Sequence, residues 1–121
     1  MTTFLGDLEK QKFTTNTAGQ VAIRVIDDTS GTMSTIAQGT KNVTTAGTAE
    51  ALATTTVSKF VIIQAKITNT GIIYVGGTGV TSANGIALYA GDLYTIGIDN
   101  LSDIFINSSV SGEGVNYNYT N

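Results

Sequence analysis

Residues 76–85 read GGTGVTSANG, the densest run of glycine in the chain. Glycines packed this closely can let backbone N–H groups cradle a phosphate. A Walker-type loop also needs a lysine beside the phosphates, and no lysine follows Lys66. A dinucleotide fingerprint needs Gly-x-Gly-x-x-Gly opening a helix. Gly77 and Gly79 supply the first two positions, the third is Ser82, and no helical period follows. The glycines therefore read as corners between β-strands. Asn84-Gly85 is a turn pair that tolerates positive φ, and Ala90-Gly91-Asp92 and Asp99-Asn100 carry turn chemistry as well.

Acidic residues raise two further chemistries. Asp27 and Asp28 are adjacent carboxylates, but acid–base hydrolysis needs a second, separated carboxylate across a concave site. They enter a Ser/Thr/Gly-rich stretch and read as a solvated turn. Asp99, Asn100, Ser102 and Asp103 gather oxygen ligands of the kind Ca²⁺ takes. Their spacing is not that of an EF-hand, and the cluster reads as a capped turn. No catalytic, cofactor or metal residue is assigned. Asn42, Asn100, Asn107 and Asn118 each begin an Asn-x-Ser/Thr sequon, as a Thr- and Asn-rich composition produces by chance.

Five tyrosines could stack on sugars or line an interface. Tyr94, Tyr117 and Tyr119 fall at strand positions that place them among apolar residues. Tyr89, beside the Ala90-Gly91 turn, is the expected exposed contact.

The composition limits the functions further. The 121 residues suit one domain with a modest core, at 41% hydrophobic and only 12% charged. Six Lys and Arg are scattered and the net charge is −3, so the positive stripe that nucleic acid requires is missing. The absence of His and Cys removes the commonest general base, disulfides and thiolate metal sites. No apolar run is long enough to span a bilayer. The start, MTTFLGDLEKQKF, lacks a signal-peptide pattern, and the expectation is a protein made in the cytoplasm.

The elements that must position these residues are strands. QVAIRVI alternates, with Val21, Ile23 and Val25 on one side. DDTSGTMSTIAQGTKN reads as linker. NVTTAGTAEALAT reads as two short strands about Ala46-Gly47. Val61, Ile63, Ala65 and Ile67 share a face, as do Tyr94, Ile96 and Ile98, then Ile104 and Ile106, then Val115, Tyr117 and Tyr119. Phe4, Leu5 and Leu8 could form one short helical face. The expected fold is all-β: an antiparallel, jelly-roll-like β-sandwich over 42–121, preceded by an extended N-terminal arm and linker over 1–41.

One block carries a resemblance. Residues 59–119, KFVIIQAKITNTGIIYVGGTGVTSANGIALYAGDLYTIGIDNLSDIFINSSVSGEGVNYNY, resemble small structural proteins of tailed bacteriophages, over about half the chain. The upstream KFTTNTAGQVAIRVI resembles the segment that often precedes such domains. The resemblance implies a non-enzymatic virion protein without a cofactor, often a homotrimer. It would be a capsid decoration or head-fibre protein contacting the major capsid or another virion protein. A tail-fibre or baseplate adaptor, or a domain adsorbing to host surface glycan, is the alternative. Attachment is expected through the arm, with Phe4, Leu5, Leu8, Val21, Ile23 and Val25 as the interface. The glycan alternative would use Tyr89 with the turns around Gly77 and Asn84.

Overall fold

A computed structural model describes residues 33–121. The arm interface residues Phe4, Leu5, Leu8, Val21, Ile23 and Val25, and the Asp27-Asp28 pair, lie outside the described residues.

Eight strands follow in order: β1 (Ile36–Asn42), β2 (Glu50–Ala51), β3 (Phe60–Ala65), β4 (Ile73–Gly76), β5 (Ile86–Leu88), β6 (Leu93–Gly97), β7 (Phe105–Ser108) and β8 (Gly114–Thr120). They form two four-stranded antiparallel sheets, β1-β8-β3-β6 and β2-β7-β4-β5. β4–β5, β3–β6, β2–β7 and β1–β8 are nested antiparallel pairs. Residues 36–120 thus form one long antiparallel ribbon, closed at the β4–β5 hairpin and folded over into two layers. This is the jelly-roll solution to covering sheet faces, and it is the fold class the sequence predicts.

Period-two patterning explains the layers. Along β3, Val61, Ile63 and Ala65 are fully buried while Phe60 and Ile62 are exposed. Ile73 and Val75 of β4, Leu88 of β5, Ile106 of β7 and Val115 of β8 meet them in one cluster, with Val43, Leu52, Leu101 and Ile104 from the connections. Tyr94, Ile96, Ile98, Tyr117 and Tyr119 pack against that core half-buried, as their spacing requires. Ile67, predicted to share the β3 face, lies beyond the strand and is exposed.

Two segments depart from the sequence reading. Ile36–Asn42 is a strand paired along its whole length with β8, where composition suggested linker; strand structure thus begins before residue 42. The apolar alternation is missing from β1 because its inward side is Ala37, Gly39 and Lys41. The ring of Tyr117 lies over Gly39 and fills the space a side chain would take. Of the two strands expected about Ala46-Gly47, only Glu50–Ala51 forms. The Glu50 carboxylate accepts from the N–H groups of Thr44 and Thr45, at 2.8 and 3.4 Å, and holds that stretch as a turn.

Candidate interaction face

Strand register places twelve residues on the outer side of the β1-β8-β3-β6 sheet, in three rows. They are Ile36, Thr120, Phe60 and Gly97; then Gln38, Asn118, Ile62 and Thr95; then Thr40, Asn116, Gln64 and Leu93. None is charged. Four are large and apolar: Ile36 is 69% exposed, Leu93 62%, Ile62 46% and Phe60 43%. Ile36 and Phe60 line a small apolar hollow with Ile62, Asn118, Tyr119 and Thr120. Thr120 Oγ1 there is buried without a hydrogen-bond partner.

The charged side chains of the described residues lie elsewhere. Lys59, Lys66, Asp92, Asp99, Asp103 and Glu113 stand beyond strand ends or in connections. Lys41 and Glu50, one from each sheet, pair at 2.9 Å. Glu113 accepts from Thr70 N (2.7 Å), Thr70 Oγ1 (2.8 Å) and Gly71 N (2.8 Å), and so fixes the turn before β4. The donated N–H groups of Thr70 and Gly71 hold the Glu113 carboxyl below its ordinary value. Glu50 is held low chiefly by its hydrogen bond to the Lys41 ammonium; burial opposes this as the next-largest effect, and the N–H groups of Thr44 and Thr45 add smaller lowering contributions.

The other sheet has part of its outer side covered by a loop of its own. The 77–85 loop folds back so that Val80 is 4% exposed. Its carbonyl accepts from Asn107 Nδ2 at 3.0 Å. A Cβ at Gly76 or Gly85 would come within 2.8 or 2.7 Å of Val80 Cγ2. Gly85 is glycine for room, since its φ is not positive, whereas Gly79 and Gly91 occupy φ +80 and +87. This corrects the reading of Asn84-Gly85 as a positive-φ pair. Five loop amides are partnered within the loop: Val80 N on Gly77 O, Thr81 N on Asn84 Oδ1, Ala83 N on Thr81 Oγ1, and Asn84 N and Gly85 N on Thr81 O.

The remaining predicted positions fall into separate places. Tyr89 is 59% exposed and sits in the turn before β6, where its N–H donates to Asp92 Oδ2 at 2.9 Å. β5 separates it from the Gly77 and Asn84 turns, so these residues do not form one site. Asn100 caps a 3-10 turn (Leu101–Asp103); its Oδ1 accepts from Thr56 N (2.9 Å), Ser102 N (3.0 Å) and Ser102 Oγ (2.8 Å). Three donors occupy the oxygen that a cation would need. No group of three His, Cys, Asp or Glu residues stands close enough to hold a metal among the described residues.

No family model, curated protein or solved structure matches this chain.

Sequence reasoning missed the uncharged face because one of its four strands, β1, was read as linker and the other three come together only by pairing. Its signal was present in the alternation Ile36, Gln38, Thr40, Asn42, polar or apolar but never charged.

Proposed function

We propose that this chain is a non-enzymatic structural protein of a phage particle, and that it works by docking the outer face of the β1-β8-β3-β6 sheet onto another virion protein. The observation that carries the reading is three rows of exposed side chains without a charge, on a sheet side left open by the described residues. Interface centres lose Lys, Glu and Asp because each would have to be stripped of water. Amide and hydroxyl side chains supply hydrogen bonds, and Ile36, Phe60, Ile62 and Leu93 supply apolar area. Repetition on a symmetric particle multiplies a weak contact. The phage assignment is supported by the resemblance of residues 59–119. Capsid decoration or head fibre is the placement that follows from it, with tail or baseplate adaptor as the alternative.

The test is Ile62→Lys. Ile62 points outward and is half-exposed, so the variant keeps its circular dichroism and melts within a few degrees of the parent. It is lost from purified particles when bound protein is quantified by mass spectrometry. Normal occupancy of the folded variant would sink the docking face.

Glycan adsorption has one observation in its favour, away from Tyr89. An uncharged cleft of about 440 Å³ is lined by Tyr74, Thr81, Ser82, Asn107, Ser108 and Ser109, with Ala46 and Gly47. A ring beside hydroxyl and amide groups suits a sugar. On this second reading, Tyr74→Ala abolishes binding to host cell-wall glycan while Tyr89→Ala leaves it intact.

A further inference from the structure

Strand β6 ends the β1-β8-β3-β6 sheet and pairs only with β3 among the described residues. The register fixes which of its backbone groups are free. Ile98 N donates to Lys59 O, and Ala65 N donates to Asp92 O. Antiparallel pairs alternate between bonded and non-bonded. The bonded pairs with β3 are therefore Val61 with Ile96 and Ile63 with Tyr94. The N–H and C=O groups of Leu93, Thr95 and Gly97 point away from β3, and none has a backbone partner among the described residues. Exposed edges are normally blunted by lysine, proline or a bulge. The five residues LYTIG carry no charge and no proline.

We infer that two copies of this chain join edge to edge through β6, antiparallel about a two-fold axis at Thr95, into one continuous eight-stranded sheet. This inference rests on the β6 edge and is independent of the docking reading. In that register Thr95 faces the partner's Thr95 and Leu93 faces the partner's Gly97. Each of these positions presents its free N–H and C=O outward, so both strands exchange backbone bonds at every facing pair. On the outer side, exposed Leu93 lies across from a residue without a side chain. On the inner side, Tyr94 faces the partner's Ile96, an aromatic and β-branched pairing that stabilises sheets. Those residues now stand half-buried beside a mostly apolar opening of about 280 Å³, lined also by Val75, Ile98, Ile104 and, at one side, Asp103. The partner strand closes it. No two carboxylates face one another, because Asp92 falls across from Ile98 and Asp99 across from Gly91. A chain of net charge −3 thus meets its copy along a neutral stretch. The pair has two-fold symmetry, in place of the trimer that the resemblance implies.

The experiment uses the full chain, which has no native cysteine. Thr95→Cys places two thiols across a bonded antiparallel pair, where Cα atoms lie about 5.5 Å apart, within disulfide range. The expected result after mild oxidation is a disulfide-linked species of twice the 12.5 kDa chain mass on a non-reducing gel. Leu93→Cys alone stays uncrosslinked, and Leu93→Cys mixed with Gly97→Cys crosslinks. Light scattering of the parent gives a dimer. Thr95→Pro removes an N–H that β3 does not use and gives a monomer. Thr95→Lys, which puts two ammonium groups face to face, does the same should the proline variant fail to fold. A monomeric or trimeric parent overturns the inference. So does a Thr95→Cys protein that stays single, or equal crosslinking of Leu93→Cys with itself.

Discussion

Asn100 shows how one side chain can serve two connections. Its Oδ1 ties Thr56, in the segment before β3, to the turn that leads into β7. Asn100→Ala releases donors in both and should cost about 1–2 kcal/mol, the range of a lost cap, read as a lower midpoint in urea unfolding. The sequence showed that residues 99–103 form a polar turn. It could not show Thr56, 44 residues away. Glu113 and Glu50 both organise turns, a role that their sequence positions did not mark. Each has its pKa lowered on folding from 4.5. The stabilisation that each gives is complete above that value and is lost as the pH falls through the lowered folded value. Melting temperature should therefore drop as the pH is taken from neutral into the acid range. Glu113→Gln should make that drop shallower; an unchanged acid limb would rule the carboxylate out.

At the scale of the strand, alternation was a reliable guide where a strand carries its own apolar residues. Val61, Ile63 and Ala65, and likewise Ile104 and Ile106, were placed correctly for that reason. It failed for β1, whose inner side is small because Tyr117 reaches across from β8. Glycine roles divided in the same way. Gly47 and Gly112 adopt φ +85 with nothing within 4 Å of a Cβ, so alanine costs only backbone strain, about 1–2 kcal/mol. Gly114 is different: a Cβ there would strike the backbone of Lys41 and Asn42 on β1. Gly114→Ala should force β1 from β8 and cost at least the ~1–3 kcal/mol of overpacking. Chemical denaturation of the three alanine variants checks the order, with Gly114→Ala the least stable.

For the whole molecule, the fold class followed from short alternating runs and frequent turns. The interaction face did not, because it is made of residues up to 84 positions apart that only pairing brings side by side, as Ile36 and Thr120 are. A chain beginning at Met33 keeps the eight described strands, whereas one beginning at Lys41 leaves β8 without most of its neighbour. The first should unfold in a single cooperative thermal transition and the second should not. The nested ribbon also sets an order in time. Val75 and Ile86, at the closed end, pair although only 11 positions apart, so the β4–β5 hairpin has the least loop entropy to overcome. Each later pair must wait for a longer loop to close. β8 lies between β1 and β3, so the face described above exists only after residues 114–120 have left the ribosome. Until then β1 and β3 have no strand to join them, and nascent chains held short of that point should be open to protease along residues 36–42.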